Sequence, residues 1–380
     1  MAVLALTACS NEEVIQTNEQ NNEITFTAVT GKALSRAVHA YCNNDMPDNF
    51  NVWANVPVDG GTTKIYFSGD QFGYDAVTNT YKNNGDVRYW PNGKINLFAC
   101  KNATPEWSGT TTLVVNNFTV ADDVDKQVDF IYAVENVASK PTVAQPLNFR
   151  HALSQIEFNA RNENSKIYVE VKGVKVCRVA NQNTFTFPTA STKDKVGEHN
   201  SGNYTDNFTG KIQGTWGASP SGTKDYSVTL TTGKPIASTT TSITVPSGEW
   251  DTNTMILMPQ TITPWNPGAS AKPSEGTGTY FLLNCKICNI ASSTYDPSTD
   301  VQLWPASGDY GEIAIPAPGT ASDPTVWEQG KRYIYTFVFT STGNGGTDPG
   351  TGDEVLTPIT LNVTVDDFVK GAEEDVNMTK

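Results

Sequence analysis

Short runs of strand-forming residues recur along the whole chain, and this pattern constrains the fold more than any other feature. Val, Ile, Thr, Tyr and Phe alternate with polar residues in segments such as 23–28, 50–56, 111–118 and 166–176, and turn-forming residues bound them. Such alternation is typical of strands with one buried face. Helical periodicity is nearly absent. The sequence therefore predicts an all-β protein made of β-sandwiches, in which each of two sheets buries one face.

Length and proline placement indicate two domains. A chain of 380 residues suits two domains of ordinary size better than one. Pro141 and Pro146 interrupt the strand pattern before a new apolar run begins. We therefore predict a tether at 1–22, an N-terminal sandwich at 23–147 and a C-terminal sandwich at 148–380.

Net charge narrows the range of partners. The sequence carries 26 Lys and Arg against 40 Asp and Glu, a formal net charge of −14. A chain this acidic repels phosphate backbones, which argues against a nucleic-acid partner. After the first few residues, no segment approaches the ~18 consecutive apolar residues of a membrane helix. Any link to a membrane is therefore expected at the N-terminus.

The N-terminal apolar run ends at a cysteine, in a pattern similar to the cleavage site of bacterial lipoproteins. Residues 6–9 read LTAC, which is the required order of one bulky residue, two small residues and a cysteine. The acidic segment Ser10–Glu13 resembles the export signal of surface lipoproteins in Bacteroidetes. We therefore predict lipidation at Cys9. Because the run is short and no basic residue precedes it, we expect the precursor to begin further upstream; the alternative is an unstructured terminus.

The candidate catalytic residues lack the framework that catalysis needs. His151 and Ser154 are close in sequence, but no Gly-x-Ser-x-Gly elbow accompanies them. Cys285 and Cys288 form a lone CxxC in a strand-like run, without the second pair of a zinc site or the helix start of a redox motif. The acidic run 122–129 lacks the Gly and Glu of a calcium loop, and we interpret it as a solvated turn. We therefore predict no enzymatic activity, no cofactor and no metal.

Several motifs, taken in order, resemble the fimbrillin family of Bacteroidetes. They are Cys9 with its acidic follower, EITFTA (23–28), SRA (35–37), FNVWA (50–54), YWP (89–91), FRHALSQIEF (149–158), MPQ (258–260), WEQGKRYIYTFVF (327–339) and ITLNVTVDDF (359–368). Each motif is weak alone, and the signal lies in their order and spacing over 9–369. The resemblance implies two transthyretin-like (Greek-key) β-sandwich domains and assembly into type V pili. It also implies export as a surface lipoprotein, trimming by a trypsin-like protease after an arginine, and donor-strand exchange between subunits.

The resemblance assigns roles to three segments. The removable strand would be Ile24–Ala28, and the cut would follow Arg36. The donor strand would present Ile359, Leu361, Val363 and Val365. Polar residues alternate with these four, as they should in a strand that fills a groove from one side. The alternative is that both strands are permanent members of their own domain and that Arg36 is an ordinary loop residue.

These implications predict a fimbrial subunit on the cell outer membrane that contributes to adhesion. Its expected partners are other fimbrial subunits, the outer membrane through a lipid anchor, and a host glycan or protein. The rival prediction is a monomeric glycan-binding surface lipoprotein of a polysaccharide uptake system, because scattered tryptophans could form a sugar platform. Arg36, followed much later by the alternating C-terminal strand, favours the fimbrial subunit, since a glycan binder needs neither feature.

Overall fold

The computed structural model describes residues 22–30, 46–58, 60–192, 212–244, 254–319, 325–342 and 345–367. Strands dominate these residues. The helical elements among them are two single turns of 3₁₀ helix, at Val124–Lys126 and Pro273–Glu275. The prediction of an all-β fold is therefore confirmed.

The first half of the chain forms a closed ring of strands. The strands of this half are β1 (Phe26–Thr30), β2 (Asn49–Pro57), β3 (Thr63–Asp75), β4 (Thr80–Asn83), β5 (Ile95–Lys101), β6 (Glu106–Ser108), β7 (Thr112–Thr119), β8 (Ile131–Val137) and β9 (Gln145–His151). All of them except β6 and β7 belong to the ring. The ring runs in the order β1-β4-β3-β2-β5-β8-β9. Within it, β1 and β9 are parallel and the other neighbours are antiparallel. Side chains that point inward, such as Phe50, Phe72, Leu97 and Phe149, form a buried cluster that we call the ring core.

The described part of the second half contains fifteen further strands. They are β10 (Ser154–Asn162), β11 (Ile167–Val179), β12 (Gln182–Thr186), β13 (Thr215–Trp216), β14 (Lys224–Pro235), β15 (Thr241–Ser242), β16 (Met255–Leu257), β17 (Gln260–Ile262), β18 (Tyr280–Asn289), β19 (Val301–Trp304), β20 (Gly311–Pro316), β21 (Thr325–Trp327), β22 (Lys331–Phe339), β23 (Gly345–Thr347) and β24 (Glu354–Asp367). Most join one sheet in the order β14-β11-β18-β20-β23-β24-β22-β10-β15. The rings of Phe158 on β10 and Phe281 on β18 lie 5.1 Å apart, so distant strands of this sheet face each other across a core.

A smaller sheet joins the two halves. Its order is β13-β12-β7-β6, so the β6–β7 hairpin of the first half pairs through β7 with β12 of the second half, and β12 also pairs with β13. The register of β7 and β12 includes Thr119 with Gln182 and Val114 with Thr186. Aromatic rings crowd the joint, including Phe130 and Phe185, whose centroids are 5.0 Å apart. One buried cluster, which we call the large core, extends from Trp53 and Phe98 through this joint into the second half.

The chain leaves the ring close to the predicted domain boundary. β9 is continuous across residue 147, and it pairs with β1 and β8 of the ring. The next strand, β10, pairs with β15, β16 and β22 of the second half. The change of sheet therefore falls between His151 and Ser154. The division into domains at residue 147 stays a prediction.

Candidate strand-exchange site

Residues 22–30, which include β1, lie between β4 and β9 of the ring. We call the groove that these residues fill the slot. Ile24 and Phe26 are fully buried, and Ala28 packs against the same ring core. Because alternate side chains of a strand point to one face, these three residues enter the ring core together. The Phe26 ring lies 4.8 Å from that of Phe72 and 6.2 Å from that of Phe50. The segment therefore completes the ring core, and we call residues 22–30 the plug.

The two edges of this segment are paired to different extents. On one edge, Phe26–Thr30 runs parallel to β9 over five register pairs, from Gln145 to Phe149. On the other edge, the described residues give β1 one register pair, Phe26 with Tyr81 on β4. Just before β1, the Ile24 amide donates to the Arg88 carbonyl at 2.7 Å. Within the described ranges, residues 22–26 are thus paired on both edges, and residues 27–30 are paired with β9 on one edge.

Burial and backbone pairing together make the slot sensitive to loss of the plug. Full burial of a side chain such as Ile24 or Phe26 is worth about 1.5–3 kcal/mol. Loss of β1 would also leave the facing edge of β9 unpaired, and such an edge is a template for another strand. A ring without β1 would therefore be an acceptor for an extended segment with apolar residues at alternate positions.

β24 holds the four residues predicted to act as donor. It runs antiparallel to β22 over the nine pairs from Ile359 with Phe339 to Asp367 with Lys331. Ile359 is buried, and Leu361 and Val363 pack half-buried against the large core. Val365 is 49 % exposed. The alternation predicted from the sequence is present, and the burial of its apolar face decreases toward the C-terminal end.

In this structure both segments are strands of the chain that carries them. This arrangement is expected before any cut if the strands are exchanged, and it is equally expected under the alternative that both are permanent strands of their own domain. Their roles as removable strand and donor strand stay predictions. Cys9 and Arg36, the predicted lipidation and processing sites, lie outside the described residues.

His151 and Ser154 make separate contacts and do not form a nucleophile with its base. The Nδ1 atom of His151 lies 2.8 Å from Oδ2 of Asp129. The Ser154 hydroxyl donates to the main-chain carbonyl of Glu328 at 2.8 Å. Both His151 and Asp129 are buried. The interpretation of 122–129 as a solvated turn is therefore wrong for Asp129, which folds inward because it meets the imidazole.

Cys285 and Cys288 lie on β18, as expected for a strand context. Both thiols are buried and free, and burial raises the pKa of each. A raised pKa keeps a thiol protonated at neutral pH, where it is a poor nucleophile and a poor metal ligand. Among the described residues, no group of three or more His, Cys, Asp or Glu side chains is arranged to hold a metal ion.

Sequence reasoning missed a polar and aromatic cluster on the outer face of β11 and β18. Glu170 accepts hydrogen bonds from the hydroxyls of Tyr168 and Tyr310. The Lys286 ammonium lies 3.8 Å from the Glu170 carboxylate and over the rings of Tyr295 and Tyr310, at 5.6 and 5.5 Å from their centroids. Tyr168 and Glu170 share a strand face by spacing, but the other residues come from distant segments. The carboxylate, the ammonium and the tyrosine hydroxyls interact with one another. The cluster therefore connects β11 and β18 to the loops that carry Tyr295 and Tyr310.

The tryptophans in the described part of the chain pack inward. Four are buried, namely Trp53, Trp90, Trp265 and Trp327. Trp107, Trp216 and Trp304 are half-buried against the large core. Trp250 lies outside the described residues. None of the seven that are described offers an exposed ring face of the kind that a sugar-stacking platform uses.

No helix in the described ranges has both the length and the apolar character needed to span a bilayer.

Sequence comparison identifies the class of protein that carries this fold. A model of the fimbrillin-like family matches residues 35–367, which is most of the chain. The chain therefore belongs to the fimbrillin-like family. No curated protein matches it.

One solved structure shares the fold of this chain. A fimbrial protein from Bacteroides vulgatus is 13 % identical with a TM-score of 0.54, over 92 % of this chain and 100 % of that one. At this identity the likeness shows a shared fold alone. Two structures described as cell adhesion proteins also align. The one from Bacteroides uniformis is 11 % identical (TM-score 0.43; 91 % and 98 % of the two chains), and the one from Bacteroides ovatus is 14 % identical (TM-score 0.44; 92 % and 98 %).

Proposed function

We propose that this protein is a subunit of a type V fimbria that contributes to adhesion and assembles by donor-strand exchange. Membership of the fimbrillin-like family supports a fimbrial role, and the fold shared with the Bacteroides vulgatus fimbrial protein is consistent with it. A fimbrial subunit works by binding other subunits, so no catalytic centre is required.

The single observation that carries the proposal is the plug of the ring core. Ile24 and Phe26 are fully buried in a slot that a short N-terminal segment fills. Arg36 follows β1 by six residues, so a cut there would leave β1 bound by non-covalent contacts only. Release of β1 would open the slot, and an extended segment of another subunit would fill it.

The proposed donor is β24 of a neighbouring subunit, with Ile359, Leu361, Val363 and Val365 directed into the slot. These residues have the required alternation, and β24 carries Val365 with an exposed side chain. For β24 to act as donor it has to separate from β22, along which it makes nine register pairs, and from β23 on its other edge. Exchange is therefore a replacement of one set of strand contacts by another.

The proposal includes a location. Lipidation at Cys9 would tether the subunit to the outer face of the outer membrane, where trimming and assembly would follow. The rival function, a monomeric glycan-binding lipoprotein, receives less support because the described tryptophans pack inward.

Cleavage of the purified full-length protein by an arginine-specific protease tests the proposal. Cleavage after Arg36 should convert monomers into a ladder on a non-boiled gel. Arg36→Gln should abolish the ladder. Lys32→Gln is the matched control, because it removes a nearby positive charge that this protease does not recognise, and it should form ladders like the wild type. Monomers that stay monomeric after a verified cut at Arg36 would contradict the proposal.

A further inference from the structure

The backbone of the plug is held unevenly along its length. Alternate amides of a strand point to opposite edges. The Ile24 amide bonds to the Arg88 carbonyl, and Phe26 pairs with Tyr81 on the same edge. The Ala28 amide points to this edge by the same alternation, and in the described part of the chain no pair is formed there. Among the residues that the structure describes, β9 is therefore the one strand that pairs with Thr27–Thr30.

The side chains of the plug repeat this asymmetry. The two large apolar residues, Ile24 and Phe26, lie at the doubly paired end and are fully buried. Ala28, nearer the singly paired end, has a small side chain that is only partly buried. Among the described residues, buried apolar area and backbone pairing are thus both greater at Ile24 and Phe26 than at Ala28.

The singly paired end is also the end that leads to Arg36. Before a cut, the chain beyond Thr30 continues into the rest of the protein, so that end is covalently restrained. A cut after Arg36 would remove this restraint from the end of β1 that has fewer pairings among the described residues. Free strand ends with few contacts open first and most often.

We infer that β1 leaves its slot from the Thr27–Thr30 end, that the strand of a second copy first pairs with β9 beside Leu147 and Phe149, and that Phe26 is the rate-controlling anchor. This inference rests on the proposed function for its partner. The two ends of the plug therefore have different roles in exchange. The Thr27–Thr30 end admits the incoming strand, and the Ile24–Phe26 end delays exchange until that strand is in place.

Hydrogen exchange on the uncut, full-length protein tests the order of opening without any polymer. The amides of Thr27 and Val29 both point toward β9, because alternate amides of a strand share an edge. The Val29 amide should exchange severalfold faster than the Thr27 amide, because local opening free energies follow local contacts. Equal protection of these two amides, or slower exchange at Val29, would overturn the inference.

Polymerisation after cleavage tests the anchor. Phe26→Leu keeps an apolar side chain but removes ring contacts, and it should speed ladder formation severalfold at an unchanged extent of cleavage. Thr27→Ser, on the opposite face, is the control and should polymerise at the wild-type rate. If Phe26→Leu does not fold, Ile24→Val takes its place, with a smaller increase expected. An unchanged rate in the folded anchor variant refutes the anchor role. If cut wild-type protein forms no ladder, the proposed function fails, and the hydrogen-exchange result alone decides the order of opening.

Discussion

At the scale of single residues, Glu170 is the described carboxylate with the most elaborate set of partners. Burial alone would raise the pKa of Glu170, but hydrogen bonds from Tyr168 and Tyr310, together with the nearby Lys286 ammonium, more than offset it and lower this pKa below its usual 4.5. The folded protein therefore favours the ionised carboxylate. This ionisation stabilises the folded state at pH values above the usual pKa of a glutamate, and the stabilisation is lost as the pH falls through the lowered pKa of Glu170.

Glu170→Gln should destabilise the protein at neutral pH. The amide keeps the shape but loses the charge that strengthens the two hydrogen bonds, so the free energy of unfolding should fall by about 1.5 kcal/mol at pH 7. Denaturant unfolding at pH 7 and at about pH 3, below the usual carboxyl pKa, measures the effect, and the difference from wild type should shrink at the lower pH.

Glu312→Gln is the control for this prediction. Its carboxylate is 42 % exposed and lies 3.4 Å from the Lys175 ammonium. Exposed ion pairs of this kind contribute about 0–1 kcal/mol, so the control should change stability less than Glu170→Gln. Equal effects of the two substitutions, or a Glu170 effect that persists at low pH, would contradict the role assigned to Glu170.

Some residues were predictable from sequence and others were not. Cys285 and Cys288 were expected to be ordinary strand thiols, and they are. Asp129 was missed because a carboxylate in an acidic, polar run carries no local sign that it will meet His151, a residue 22 positions away that arrives on another strand.

At the scale of strands, a substitution at Val365 distinguishes a donor role of β24 from a purely structural role of this strand. Val365 is 49 % exposed in the subunit described, so Val365→Asp should leave its unfolding free energy almost unchanged. If β24 enters the slot of another subunit, that position becomes buried, and an unpaired carboxylate there costs several kcal/mol. Val365→Asp should therefore block ladder formation after cleavage.

Asn362→Asp is the matched control, because it adds the same carboxylate on the opposite, exposed face of β24. Its ladders should resemble those of the wild type. Leu361→Asp is less informative alone, since Leu361 packs against the large core of its own subunit and the substitution would also weaken the monomer. Ladders that persist in Val365→Asp would show that this face of β24 is not buried in another subunit.

Strand patterns were largely readable from sequence, but strand partners were not. The alternation in 359–365 predicted β24 correctly, since burial of one face leaves a period of two in the sequence. Nothing local indicates that β1 pairs with β9, more than a hundred residues later, or that β7 pairs with β12. Such pairings depend on the global arrangement of apolar faces, so the slot around β1 could be proposed from a family resemblance but not located from the residues alone.

At the scale of the whole molecule, the proposed attachment to the outer membrane depends on one residue, Cys9. Cys9→Ala should release the protein from the outer membrane fraction, because a lipid on this cysteine is the one anchor that the sequence predicts. Fractionation followed by immunoblotting measures the release. Cys42→Ala is the control, since it removes a cysteine outside the lipoprotein pattern, and it should stay in the membrane fraction. Retention of Cys9→Ala in the membrane would contradict lipidation at this site.

The sheet shared by β6, β7, β12 and β13 has a mechanical consequence. In a fibre of such subunits, tension would pass through the junction between the two halves of each one. A junction made of a single linker would act as a swivel and lengthen under load. Here the load divides among the β7–β12 ladder and the rings packed beneath it, including Phe130 and Phe185. Each subunit would then behave as a stiff link of fixed length, and the bending of the fibre would be confined to the contacts between neighbours.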